Sequence, residues 1–119
     1  MKVQKIEQPV AIESLEPTGS MNGLPGSPPI KLFGLEKRIP GKDDIDTGLF
    51  ECSEGSYRRG IKQAEIMHIL SGSGSFTPDG EEPVTFKGGD TLFFEANTEG
   101  TWVVEAQMRK LYVIFDVKP

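Results

Sequence analysis

From Thr47 onward the chain alternates short apolar runs with turn chemistry at Ser53-Glu54-Gly55, Ser71-Gly72-Ser73-Gly74, Pro78-Asp79-Gly80 and Lys87-Gly88-Gly89-Asp90. Runs of this kind, with no helical period after residue 40, predict strands over 48–53, 56–60, 64–71, 74–78, 83–87, 90–95, 101–106 and 108–117. Closely spaced short strands joined by glycine-rich turns point to an antiparallel sandwich or barrel. Upstream, Pro17, Gly19, Gly23, Pro25, Gly26, Pro28 and Pro29 are dense enough to argue against any regular element over 17–29 and for an extended connection. Val10–Leu15 reads as a short strand or a helical turn, and Ile30–Phe33 and Leu35–Ile39 as short strands that stop at Pro40 and Gly41. The expected organisation is an N-terminal arm over 1–40 and one all-β barrel over 41–119, without tandem repeats.

Two segments carry a resemblance. Glu65, six residues and Gly72 form one motif, and Gly89-Asp90 at a strand start opens a second. These resemble the paired motifs of the cupin superfamily. Phe50-Glu51 before Gly55, Ile69-Leu70 before Gly72, Phe86-Lys87 before Gly89-Asp90, Gly100-Thr101-Trp102 and Lys110 with Tyr112 sharpen it. They are similar to single-domain cupins grouped with ureidoglycine aminohydrolase and the ethanolamine-utilisation Q protein. The resemblance implies an RmlC-like double-stranded β-helix, that is, a jelly-roll barrel with an extended N-terminal arm.

In that family the motif glutamate faces inward. Successive strand residues alternate faces, so Glu65, Met67 and Ile69 are expected inside and Ile66, His68 and Leu70 outside. The outer set is apolar too, as is one face of Leu111–Phe115, and such strands need cover on both sides. The cover expected is the N-terminal arm or a second subunit, hence a homodimer with sheet-to-sheet packing and arm exchange.

Composition narrows the partners. A chain of 119 residues fits one small domain. With 13 Lys plus Arg against 18 Asp plus Glu, its net charge of -5 repels nucleic-acid phosphates and anionic lipid surfaces. Neither a membrane span nor a signal-peptide layout is visible, so the expected location is the cytoplasm. Cys52 is the only cysteine, which leaves no intrachain disulfide and no thiolate cluster; it reads as a buried apolar residue.

The resemblance also implies where a metal would sit: a pair of histidines one residue apart, a glutamate a few residues on, and a third histidine in the second motif. Counting from Glu65 places Arg58 and Gly60, or Arg59 and Ile61, at the first pair, and Gly100 at the third histidine. Only Glu65 remains. A guanidinium has no lone pair for a cation, so no metal and no other cofactor is expected. His68, the sole histidine, falls on the outer face, where it reads as a hydrogen-bond donor at an interface.

What the inward face retains is a candidate pocket. Gly100, Trp102 and Val104 share one parity, and Lys110 and Tyr112 share another face that the resemblance places beside Glu65. Glu65, Met67, Trp102, Lys110 and Tyr112, with Arg58 or Arg59 at the mouth, would form an apolar cavity with a few convergent polar groups for a small polar or anionic metabolite. Glu65 is the candidate general base, raised by burial and opposed by Lys110 or an arginine, and Tyr112 the acid. Three readings stand: a metal-independent isomerase or lyase, a non-catalytic binding or accessory dimer, and a metal-dependent aminohydrolase acting on a ureido amino acid.

Overall fold

The computed structural model describes residues 2–118. A short 3-10 turn at Pro9–Ala11 precedes eight strands. These are β1 (Glu16–Met21), β2 (Ile30–Glu36), β3 (Asp46–Cys52), β4 (Gly55–Arg58), β5 (Glu65–Pro78), β6 (Val84–Lys87), β7 (Thr91–Phe94) and β8 (Gly100–Ile114). Every pairing is antiparallel. No described helix is long and apolar enough to cross a membrane.

The architecture follows from two long strands, β5 and β8, which pair along their whole length and bend together. The first part of β5 and the last part of β8 belong to a layer ordered β1-β2-β3-β8-β5-β7, and their other halves to a layer ordered β4-β8-β5-β6. Two layers sharing bent strands make the jelly-roll barrel. The sequence pattern breaks each long strand in two, at 71–74 and near 107, but the structure carries them through. Glycine-serine residues that read as a turn instead form the irregular stretch where the β5–β8 register shifts between Ile69 and Gly74. Gly72 sits there at φ +95°, and a Cβ on it would fall 2.4 Å from the Gln107 carbonyl oxygen. Only glycine lets β5 and β8 approach this closely at the bend.

The N-terminal region also departs from the pattern. The stretch containing Pro17 and Gly19 forms strand β1, made possible because β1 is an edge and has an irregularity between Pro17 and Gly19. Ile30–Glu36 is one strand rather than two, and it pairs with β3, so the sheet runs on across residue 40.

Period-two burial on β5 follows the expected parity: Glu65, Met67 and Ile69 are buried, while Ile66, His68 and Leu70 are partly covered. One end of the barrel is filled by Trp102, whose ring lies 4.8 Å from that of Phe76, 5.8 Å from Phe94 and 5.9 Å from Phe86, and stacks on Tyr57 at 6.3 Å. Such offset and edge contacts are the favourable aromatic geometries. Cys52 is buried in this core, as expected, with its sulfur 3.9 Å from the Tyr57 hydroxyl. On the outer face the segment before β1 lies against the sheet. Arg109 Nη1 donates to the carbonyls of Pro9, at 2.8 Å, and Ile12, at 2.6 Å. Beyond that segment the outer rows of β5, β7 and β8 leave Phe93 76% and Leu111 37% exposed in the single chain.

Candidate functional site

A cavity of about 570 Å³ opens at the other end of the barrel. Its polar wall comes from β3, β5 and β8, its floor from Trp102 and Tyr57, and its rim from residues 59–63. Of the residues expected there, Glu65, Met67, Trp102, Lys110, Tyr112 and Arg59 all line it. Arg58 does not. Tyr57 takes the inward position on β4, opposite Trp102, which turns Arg58 outward. There Arg58 makes a two-pronged ion pair with Asp79, at 2.5 and 2.8 Å, and donates to Thr101 Oγ1 at 3.1 Å. The choice between the two arginines is therefore settled by the strand ending at Arg58: Arg59 lies on the rim.

Lys110 is the centre of the site. It stands opposite Ile69 on β5 and Phe50 on β3, and its ammonium reaches past Met67, 3.0 Å from Sδ, to a point 3.6 Å from Glu65 Oε2. The Phe50 ring centroid is 4.8 Å away and that of Trp102 5.5 Å. Ring faces and a thioether are weak partners for a cation, and no described oxygen lies within hydrogen-bond distance of Nζ. Burial pushes the Lys110 amine down to about 8, against the pull of Glu65, with Arg59 adding to the fall. The same burial raises the Glu65 carboxyl above the usual carboxylate range, opposed by Lys110. Both members of the pair are thus driven toward their neutral forms.

Tyr112 shares the wall but not that pair. Its hydroxyl donates to Asp46 Oδ1 at 3.3 Å, and burial, with the Asp46 charge, pushes it up to about 12. Asp46, Phe50 and Tyr57 escaped the sequence reading. Each approaches the cavity from a strand whose pairing with β8 spans 45 to 68 residues of sequence, and period-two patterning carries no information about such a partner. His68 stands outside the site, its Nδ1 sharing a 2.7 Å hydrogen bond with Thr91 Oγ1.

The residues at the expected metal positions do not fit a divalent ion. Ile61 is buried and apolar, Arg59 is cationic, and the side-chain direction of Gly100 is filled by the Phe76 ring, 2.4 Å from where its Cβ would stand. Glu65 already faces an ammonium. Among the described residues no three His, Cys, Asp or Glu side chains converge.

The EutQ-like cupin domain model matches residues 41–112. The chain belongs to the EutQ-like cupin family. Among solved structures, this cupin is similar to the EutQ protein of Clostridium difficile, at 16% identity and a TM-score of 0.75 over 99% of this chain and 90% of that one. It is also similar to a Salmonella typhimurium LT2 protein described as an ethanolamine utilization protein Q, at 18% identity and a TM-score of 0.64, with 82% and 80% of the chains covered. A third likeness is to a Thermotoga maritima protein described as a predicted oxalate decarboxylase, at 18% identity and a TM-score of 0.63, covering 87% and 94%. At such identities the likenesses establish the shared fold and nothing finer. No curated protein matches this cupin in sequence.

Proposed function

We propose that the barrel takes up a small polar metabolite bearing a carboxylate and moves protons on it without a metal, as an isomerase or lyase would. The observation that supports this most directly is the desolvated Lys110–Glu65 pair facing an open cavity beneath Phe50 and Trp102. A buried ionisable pair in a cleft, held short of full hydrogen bonding, marks a candidate working site.

The charges on the cavity wall support the anionic preference. Glu65 faces Lys110, Glu36 is paired with Arg38, and Asp46 accepts from Tyr112. Arg59 and Lys62 on the rim have no ion-pair partner among the described residues. A guanidinium in that position suits a carboxylate by two parallel hydrogen bonds. Glu65 is then placed to take a proton from a carbon next to a carbonyl and return it elsewhere on the molecule, its raised affinity for protons bringing it nearer working pH.

Trp102 is the only tryptophan and lines the cavity, so its fluorescence reports occupancy directly. Titration with two- to six-carbon mono- and dicarboxylates is expected to change Trp102 emission saturably and to raise the unfolding temperature. Arg59→Gln is expected to weaken the response about tenfold, the loss of one charge-assisted contact. An absence of any saturable response across the panel overturns the proposal. For a substrate found this way, Glu65→Gln is expected to retain binding and lose turnover.

A further inference from the structure

The pair at the centre of the cavity offers more than proton transfer. Lys110 Nζ is enclosed by a thioether and two ring faces, with its one carboxylate neighbour 3.6 Å away. An ammonium whose role is structural fills its three N–H directions with oxygen acceptors. Here the walls favour a neutral amine, whose lone pair is a nucleophile. Glu65 stands within reach of the same space as an acid–base group, and the cavity has room for a small organic molecule against both.

We infer that Lys110 condenses with an aldehyde or ketone entering the barrel, so that the substrate class is a small carbonyl compound carrying a carboxylate; this rests on the pocket reading above. The Nζ lone pair attacks the carbonyl carbon while the carbon–oxygen π pair moves to oxygen, which takes the proton of the Glu65 carboxyl. Nitrogen gives up a proton to the Glu65 carboxylate, and the carbinolamine oxygen leaves as water, after protonation by the same group, while the nitrogen lone pair forms the C=N bond. The net change is amine plus carbonyl to imine plus water, with no oxidant or reductant required. The protonated imine then accepts electrons from the adjacent C–H bond when the Glu65 carboxylate removes that proton. This step gives the proposed isomerase or lyase activity a reason to need both residues.

The site also gives the imine a low-lying route to form at ordinary pH. With Lys110 pushed down to about 8, roughly half of it is neutral at pH 8. An ordinary lysine amine is neutral in well under one part in a hundred at that pH. Arg59 on the rim supplies the contact for the carboxylate of the incoming molecule.

The test is reductive trapping on the full chain. The protein is mixed at pH 8 with glyoxylate, or with the uncharged propanal, and treated with sodium borohydride, which converts any imine to a stable secondary amine. Peptide mapping then reads the modified lysine. With glyoxylate, Lys110 is expected to be modified roughly a hundredfold faster than the surface lysines, the ratio of neutral fractions. Propanal is expected to show a smaller preference because it lacks the group that Arg59 binds. Glu65→Gln is expected to slow trapping about a hundredfold while leaving carboxylate quenching of Trp102 intact. Even modification of all lysines, alongside a normal Trp102 response to carboxylates, overturns the imine and leaves the pocket reading standing. Even modification with no Trp102 response overturns both. The wild-type map decides the matter without any variant having to fold.

Discussion

Arg109 and Lys110 are neighbours on β8, point to opposite faces, and are each paired with a buried glutamate, yet the two pairs are built differently. On the outer face Arg109 Nε meets Glu51 Oε1 at 2.5 Å, Gln107 donates to the other Glu51 oxygen, and Arg109 Nη1 is taken up by two backbone carbonyls of the N-terminal segment. On the inner face Lys110 stands 3.6 Å from Glu65, with sulfur and ring faces for company. A pair so fully engaged with oxygen acceptors is suited to holding the protein together. An unsaturated one beside a cavity retains unused bonding capacity, which a ligand can complete. Burial and charge alone do not distinguish them; the completeness of the partner shell does.

The largest effect is expected where the shell is fuller. Arg109→Met removes one member of a fully desolvated pair, strands Glu51 and releases the N-terminal segment, so stability should fall by about 3–5 kcal/mol in urea unfolding. Trp102 emission should still respond to carboxylates in the fraction that remains folded. A loss below about 1 kcal/mol would erase the contrast.

A pH titration sharpens it next. The native Lys110 amine gives up its proton near 8, the unfolded one near 10.5, so between these values the unfolded chain binds more protons and stability climbs with pH. Lys110 is expected to contribute a rise on the order of 2–3 kcal/mol, opposed above about pH 9 by Cys52, whose thiol burial keeps protonated in the fold. The rise then reverses above pH 10, where native Tyr112 keeps its proton up to about 12 and the unfolded tyrosine does not. Lys110→Met should flatten the climb.

At pH 7 the same Lys110→Met change is expected to shift stability by about 1 kcal/mol at most, since the buried charge it removes offsets the lost partner of Glu65. Its effect should fall on ligand response instead. The smallest energetic change belongs to Phe93→Lys on the exposed outer row, within about 0.5 kcal/mol for the single chain. If a second copy of the chain packs on that row, as the two-sided apolar pattern leads one to expect, the wild type will run as a dimer in light scattering. Phe93→Lys should then yield monomer, and an unchanged mass in the two proteins would remove that row from any interface.

The two sides of the inner pair were legible in the sequence from local rules, and the family resemblance set them beside one another. Period-two alternation puts Glu65 with Met67 and Lys110 with Tyr112, and the motif glutamate fixes which face is inside. The outer pair was not, because Glu51 and Arg109 meet across a register spanning 58 residues and are covered by a segment about a hundred residues from Arg109. The long strands were split for a related reason. Ser71-Gly72-Ser73-Gly74 has the composition of a turn, and only the partner strand determines that it bends instead. Pro17 misled in the same way, since a proline is barred from a central strand and harmless at an edge.

In the barrel's wall, Met67 is in register with Tyr112, and Ile69 with Lys110, so the amine and the carboxyl are woven into one continuous ladder, while Arg59 and Lys62 hang from the segment between β4 and β5. Reactivity and selection are therefore carried by separable parts of the chain. Exchanging residues 59–63 for another sequence should redirect which molecules gain entry while the chemistry within is inherited unchanged.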